Sequence, residues 1–253
     1  MSQRTAITGS TLVRLLARLT QVDASESPQV FTERLGQWIG WAEAIPLSAA
    51  LGAAAPVVPV EEGVWLPDEA HARRAQAQLE REIAEEGQAP MRRPRQATVR
   101  GIPQAPPAPD FGTFRRRYQT RQQAFDNAIA PLRAQLRAAL AAVSPDMARL
   151  AAVDTVIERV LAPQERQWLA GVPALLEKHY ERLRQAAEAD GAATPVTAAT
   201  ADEPAWVQRF GQDMQHLLRA ELEFRWQPIE GLLAALRPFR PSAQAATQQD
   251  KHA

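Results

Sequence analysis

Four histidines, His71, His179, His216 and His252, carry the nitrogen chemistry of this 253-residue chain. Asp213 precedes His216 by three residues, a spacing that puts both on one face of a helix. Di-iron bundles use that spacing, but twice, with Glu instead of Asp and with two further carboxylates. One such pair is present, so it reads as a surface or half-buried histidine with a local hydrogen bond. His179 lies on an apolar face beside Tyr180, with Glu177 near in sequence. A catalytic role for His179 or His216 would need carboxylates brought from a different helix into a concave pocket. The HExxH, Walker-A, GxGxxG and GxSxG patterns do not occur. Gly9-Ser10-Thr11 could offer amides to a phosphate, and an ordinary N-cap explains it equally well. No catalytic residue, metal or cofactor is assigned from these residues, and the chain is read as non-enzymatic.

Arginine is the second candidate. Arg92, Arg93, Arg95, Arg100, Arg115, Arg116, Arg117 and Arg121 stand against a single acid, Asp110, between residues 92 and 121. Phe111, Phe114 and Tyr118 are interleaved with them. Guanidinium groups bind phosphate through paired hydrogen bonds, and aromatic rings stack on exposed bases. Two other readings compete. The aromatics fall on the core stripe of a helix, where packing explains them. The acidic stretch from Glu61 to Glu86, with eight carboxylates against three arginines, could neutralise the arginines within the chain. An acidic protein partner could do the same.

Composition narrows the classes. Cysteine is absent, which excludes a disulfide framework, a Cys-ligated metal and a thiol nucleophile. Formal net charge is zero, so no global field draws the chain to nucleic acid or membrane. Alanine makes up 49 of 253 residues, a strong helix-forming bias. No apolar run is long enough to span a bilayer, and no signal peptide is expected. The expected location is cytoplasmic.

Helical periodicity runs through the chain. Leu12, Leu15, Leu16 and Leu19 form one stripe behind the Ser10-Thr11 cap. Ser27-Pro28 starts a second helix lined by Phe31, Leu35, Trp38, Ile39 and Ala42, with Trp41 beside the stripe. The pattern fails between Gly52 and Pro67. A peripheral acidic helix then runs to Glu86 on Ala72, Leu79 and Ile83, with Gly87 as its stop. A long helix from Phe111 to Leu140 is expected to kink or restart at Pro131. Ser144-Pro145 opens the next, with Met147, Leu150, Val153, Ile157, Val160 and Leu161 on its inner face. Pro163 and Pro173 each permit a restart, and Asp190-Gly191 ends the segment carrying Leu176 and Tyr180. Asp202 caps a final helix that is kinked at Pro228 and ends at Leu236.

The fold class expected is all-α, a multi-helix bundle of about seven or eight helices with a long Pro/Arg-rich disordered linker. Residues 1–87 form a helical hairpin plus the acidic helix. Residues 88–110, broken by seven prolines and glycines, are the linker. Residues 111–240 form a C-terminal bundle packing with the hairpin, and 241–253 a disordered tail. No fixed-period repeat is present.

Two stretches resemble a known family. The first is Arg4-Thr5 through Thr8-Gly9-Ser10-Thr11-Leu12-Val13-Arg14-Leu15-Leu16, followed by Phe31-Thr32-Glu33-Arg34-Leu35-Gly36-Gln37-Trp38 and Leu47-Ser48-Ala49-Ala50-Leu51. The second is Leu218-Arg219-Ala220-Glu221-Leu222 with Arg225-Trp226-Gln227-Pro228-Ile229-Glu230-Gly231-Leu232-Leu233. Together they resemble an uncharacterised proteobacterial family, domain of unknown function 3348, over most of the chain. The resemblance carries no catalytic residue. It implies a genetic setting beside a stator-like proton-channel pair of the flagellar-motor type, in gene groups similar to Zorya-class anti-phage systems.

The expected function is therefore that of a helical interaction protein, a cytoplasmic accessory subunit of such a membrane complex. Leu12, Leu16, Phe31, Trp38, Trp41, Trp206, Arg225 and Trp226 are the candidate docking residues, with core packing as the competing reading. The alternative is a nucleic-acid-binding effector using Arg92, Arg93, Arg95, Arg115, Arg116 and Arg117.

Overall fold

A computed structural model describes residues 10–20, 41–52, 69–88, 110–193 and 204–239. The described residues are helical, with no strand among them. In chain order the helices are α1 (Thr11–Thr20), α2 (Trp41–Gly52), α3 (Glu69–Gln88), α4 (Phe111–Val143), α5 (Pro145–Ala170), α6 (Val172–Ala193) and α7 (Ala205–Leu236). A 3-10 turn, Arg237–Phe239, follows α7. The expected second helix from Pro28, the linker at 89–109 and the tail lie outside the described residues.

The ends of the helices follow local chemistry. Ser10 caps α1, its Oγ accepting from the Val13 amide at 3.4 Å. Ser144 does the same for α5 through the Met147 amide at 3.3 Å. Pro145 occupies the first position of α5, where its missing N–H costs nothing. Gly171 makes the break between α5 and α6, with its amide bonded to the Trp168 carbonyl at 3.0 Å.

No helix restarts at Pro131 or Pro163, and the last helix continues past Pro228 to Leu236 as expected. An interior proline removes a hydrogen bond and crowds the carbonyl four residues back. Pro131 and Asn127 are both exposed, as are Pro163 and Arg159. The freed carbonyls of α4 and α5 therefore lie on water-facing sides, where solvent replaces the lost bond. Burial of Phe125, Leu132, Leu136 and Leu140 along the opposite side of α4 holds that helix together. α2 takes in Trp41 and Ala42, which the sequence assigns to the second helix, and ends at Gly52, where the pattern is expected to fail. Its residues are mostly apolar, with Glu43 and Ser48 between them, and include Pro46, so no clear stripe marks it.

The chain divides into two compact units. Unit 1 takes residues 1–31, 76–126 and 165–225. It contains α1, most of α3, the first half of α4, the end of α5, all of α6 and α7 up to Arg225. Its interior is built on Ile83, Phe114, Tyr118, Phe210, Leu217 and Leu218. Unit 2 takes residues 32–75, 127–164 and 226–253. Its interior uses Leu136 and Leu140 of α4, Val156 and Val160 of α5, and Ile229 and Leu233 of α7.

The inward side of α5 in unit 2 differs from expectation. Ala148, Ala151, Val156 and Val160 are buried, while Leu150 and Ile157 are exposed. Small side chains let helix backbones approach closely, so alanine can own the inward face and leave larger residues outside. Arg133 and Arg137 of α4 meet Asp154 and Glu158 of α5, each pair four residues apart. Partial burial alone would push the Asp154 carboxyl up, but hydrogen bonds from Arg133 and Arg137 outweigh it and hold the group below its ordinary range.

Candidate functional site

The polar groups with the least solvent contact lie inside unit 1. Tyr118, Gln122 and Asp126 recur every four residues along one face of α4. Glu221 and Arg225 are four apart on α7, and Glu165 comes from α5. Glu221 has 0% exposure. Its carboxylate accepts the Tyr118 O–H, the Gln122 amide at 3.1 and 3.3 Å, and Arg225 Nη2 at 2.7 Å. Gln122 Nε2 also reaches the Leu169 carbonyl at 3.3 Å. Arg225 Nη1 donates to Asp126 at 2.5 Å, and its Nε stands 3.8 Å from Glu165.

Burial pushes the Tyr118 hydroxyl well above its ordinary range, and the adjacent Glu221 carboxylate pushes it further. Burial works against the Arg225 charge, but Glu221, Asp126 and Glu165 hold the guanidinium above its usual value. Tyr118 therefore keeps its proton and Arg225 its charge. Every oxygen of Glu221 is occupied by a donor from the chain itself. The arrangement ties three helices in one register, although Arg225 Nε is buried without a hydrogen-bond partner.

A second cluster in unit 1 surrounds Phe210. Phe111 and Phe114 of α4, Tyr180 of α6 and Phe210 of α7 pack with ring centroids 4.8 to 6.3 Å apart. Trp206 stands edge-on to Tyr180 at 5.1 Å. At the rim, His179 Nε2 lies 2.8 Å from Asp213 Oδ2, and its ring centre 5.9 Å from that of Phe210. Asp213 thus faces α6, not its sequence neighbour His216, which is exposed. The turn-to-turn pairing read from the sequence is replaced by one between helices. Glu177, the carboxylate nearest His179 in sequence, pairs with Arg115 instead. Among the described residues, no group of three or more His, Cys, Asp or Glu is placed to hold a metal ion.

The arginine candidates separate. Arg117 Nε lies 3.6 Å from Glu86, and Arg121 engages both Glu82 and Glu86, so the acidic helix α3 does meet the start of α4. Arg115 binds Glu177 at 2.6 Å and sits 5.4 Å over the Phe111 ring. Arg116 is exposed and reaches Thr113 Oγ1 at 3.4 Å. Arg92, Arg93 and Arg95 lie outside the described residues.

The docking candidates separate as well. Leu12 and Trp226 are buried, Leu16 and Trp206 half-buried, and Arg225 belongs to the Glu221 cluster. Phe31, Trp38 and the side chain of Trp41 lie outside the described residues. Large apolar side chains that do reach solvent were not singled out by sequence. Among the described residues the most exposed are Trp168 at 53% in unit 1, and Ile45 at 69% and Leu51 at 59% in unit 2. Glu221 was also missed, as was the pairing of Tyr118 with it. The available signal was a carboxylate on the Leu218-Glu221-Leu222-Arg225-Trp226-Ile229 stripe, where an apolar residue belongs.

The family described as Protein of unknown function (DUF3348) matches residues 1–238. No curated protein and no solved structure matches the chain.

Proposed function

This chain belongs to the DUF3348 family, and from that premise we propose that it is a non-enzymatic helical interaction protein. In this reading it is a cytoplasmic accessory subunit of a stator-like, proton-conducting membrane complex, in the setting of anti-phage systems of the Zorya kind. Its chain forms a bundle of seven or eight helices with a Pro/Arg-rich linker at 88–110.

The observation that carries the interaction reading is α2. α2 is rich in apolar side chains, yet Ile45 and Leu51 are exposed at 69% and 59%. A protein partner supplies the cover that such a surface calls for. The reading draws further support from the polar side chains of unit 1. Tyr118 with Glu221, Arg225 with Asp126, and His179 with Asp213 are each engaged between helices, which suits a scaffold. Among the described residues no helix is long and apolar enough to cross a membrane, so association with the complex would come through a protein subunit.

A second reading keeps a nucleic-acid role, on the observation that Arg115 and Arg116 are exposed at the start of α4. The pairing of Arg117 and Arg121 with Glu82 and Glu86 reduces the charge left for phosphate.

Affinity capture of the tagged chain from its source cells, in mild detergent at two salt concentrations, separates the two. The accessory-subunit reading expects the proton-channel subunits at both salts. Recovery of nucleic acid alone, lost at high salt as counterion release demands, would replace it with the second reading.

A further inference from the structure

The C-terminal turn of α1 ends on carbonyls that have no partner within the helix. One of them, Leu19 O, accepts a hydrogen bond from Arg182 Nη2 of α6. α1 packs on α6 and buries Leu12 and Leu19. The same Arg182 Nη2 lies 3.4 Å from Nδ1 of His179, one turn earlier on α6. The opposite ring nitrogen, Nε2, is 2.8 Å from Asp213 of α7. Arg182 Nε also approaches the Lys178 carbonyl at 3.4 Å.

Only one protonation state satisfies this row. An arginine is donor-only and an ionised aspartate acceptor-only. A neutral His179 with its proton on Nε2 donates to Asp213 and accepts from Arg182. A second proton must go on Nδ1, where it points at a guanidinium. We propose that Asp213, His179 and Arg182 form a proton-sensitive clasp that holds α1 on α6 and loosens it when His179 becomes charged.

The groups facing His179 set the sign. Asp213 of α7 favours the charged ring and keeps its bond to Nε2 in either state. Arg182 of α6 opposes it, and is the long, adjustable partner. α1 presents the Leu19 carbonyl. On the α4 side, Arg115 and Glu177 pair with each other. Burial pushes the Tyr180 hydroxyl up, so it stays neutral. Protonation therefore displaces Arg182, and Leu19 O loses its donor. α1 is held firmly while His179 is neutral and loosens when the ring takes up its second proton. The device makes the exposure of an amphipathic helix depend on pH.

Hydrogen–deuterium exchange of the full chain at pH 7.5 and 5.5, corrected for the intrinsic chemical rate, tests this directly. The peptide covering residues 11–20 should exchange about fivefold faster at pH 5.5, the loss of one ordinary hydrogen bond. Residues 214–222 of α7 should not change. His179→Gln can donate to Asp213 but cannot gain a proton, so it should abolish the acceleration. Arg182→Ala should leave α1 fast at both pH values. Equal α1 exchange at the two pH values in the wild type overturns the clasp, as does acceleration that persists in His179→Gln. Should His179→Gln fail to fold by circular dichroism, Arg182→Ala decides: α1 protection equal to wild type at pH 7.5 overturns it.

Discussion

Glu221→Gln keeps the shape of a side chain with 0% exposure and removes its charge. The amide can turn its oxygen to Arg225 and its NH2 to Tyr118, whose hydroxyl rotates to accept. Gln122 then keeps the Leu169 carbonyl at 3.3 Å. Hydrogen-bond geometry is thus largely conserved, and the main loss is electrostatic. Arg225, with 7% of its side chain exposed, loses the charge at 2.7 Å. Breaking a buried ion pair from one side costs about 3–5 kcal/mol. Arg225 retains Asp126 at 2.5 Å, but that carboxylate is 49% exposed and partly screened by water. The cost should therefore fall to about 2–3 kcal/mol. Urea unfolding followed by circular dichroism and tryptophan fluorescence reads it as a lowered midpoint at unchanged slope. Glu221→Gln combined with Arg225→Met removes both charges and should cost less than the sum of the singles by about 1–3 kcal/mol. A single-variant loss below about 1 kcal/mol, or strict additivity in the cycle, would refute the reasoning that this pair is a buried, mutually dependent tie.

Two further outcomes are expected. Phe210→Ala removes the ring that touches Phe111, Phe114 and Tyr180 and should cost about 3–5 kcal/mol; a loss under about 1.5 kcal/mol in the same urea assay would show that the site collapses around the gap. Asp154→Asn should destabilise by about 1–2 kcal/mol at pH 7. The folded carboxyl is held below its ordinary range, so the unfolded chain takes up the proton first. The stabilisation is full above about pH 4 and fades as pH falls through the lowered folded value. The gap between wild type and Asp154→Asn should therefore close in acid, and a gap constant from pH 7 to about 2.5 would contradict the assignment of the Arg133–Asp154–Arg137 contacts.

Features that depend on near neighbours were legible. Ser10 and Ser144 cap where their spacing to the first apolar residue indicated, because an N-cap needs only the next three amides. Ala72, Leu79 and Ile83 of α3 are buried as their stripe implied. The aromatic side chains Phe111, Phe114 and Tyr118 are core residues, as the packing reading of the arginine stretch had it. Failures occurred where a rule depends on what lies across the helix. Proline breaks a helix unless its face is wet or its neighbours are packed, and Pro131 and Pro163 sit on exposed faces. Leu150 and Ile157 carry the larger apolar surface of α5, yet Ala148 and Ala151 take the interior.

Sequence by itself determined the helical class, the caps, the absence of thiol chemistry and the alternation of acidic and basic segments. These follow from backbone propensity, side-chain inventory and periodicity, all of which act within a few residues. Tertiary structure alone decided which charges are tied to which. Glu221 meets Tyr118 across 103 positions, Arg225 meets Asp126 across 99, and His179 meets Asp213 across 34. Such partners share no local pattern. Their pairing is fixed by the rotation of each helix about its own axis, and that rotation is set by burying the apolar stripe as a whole.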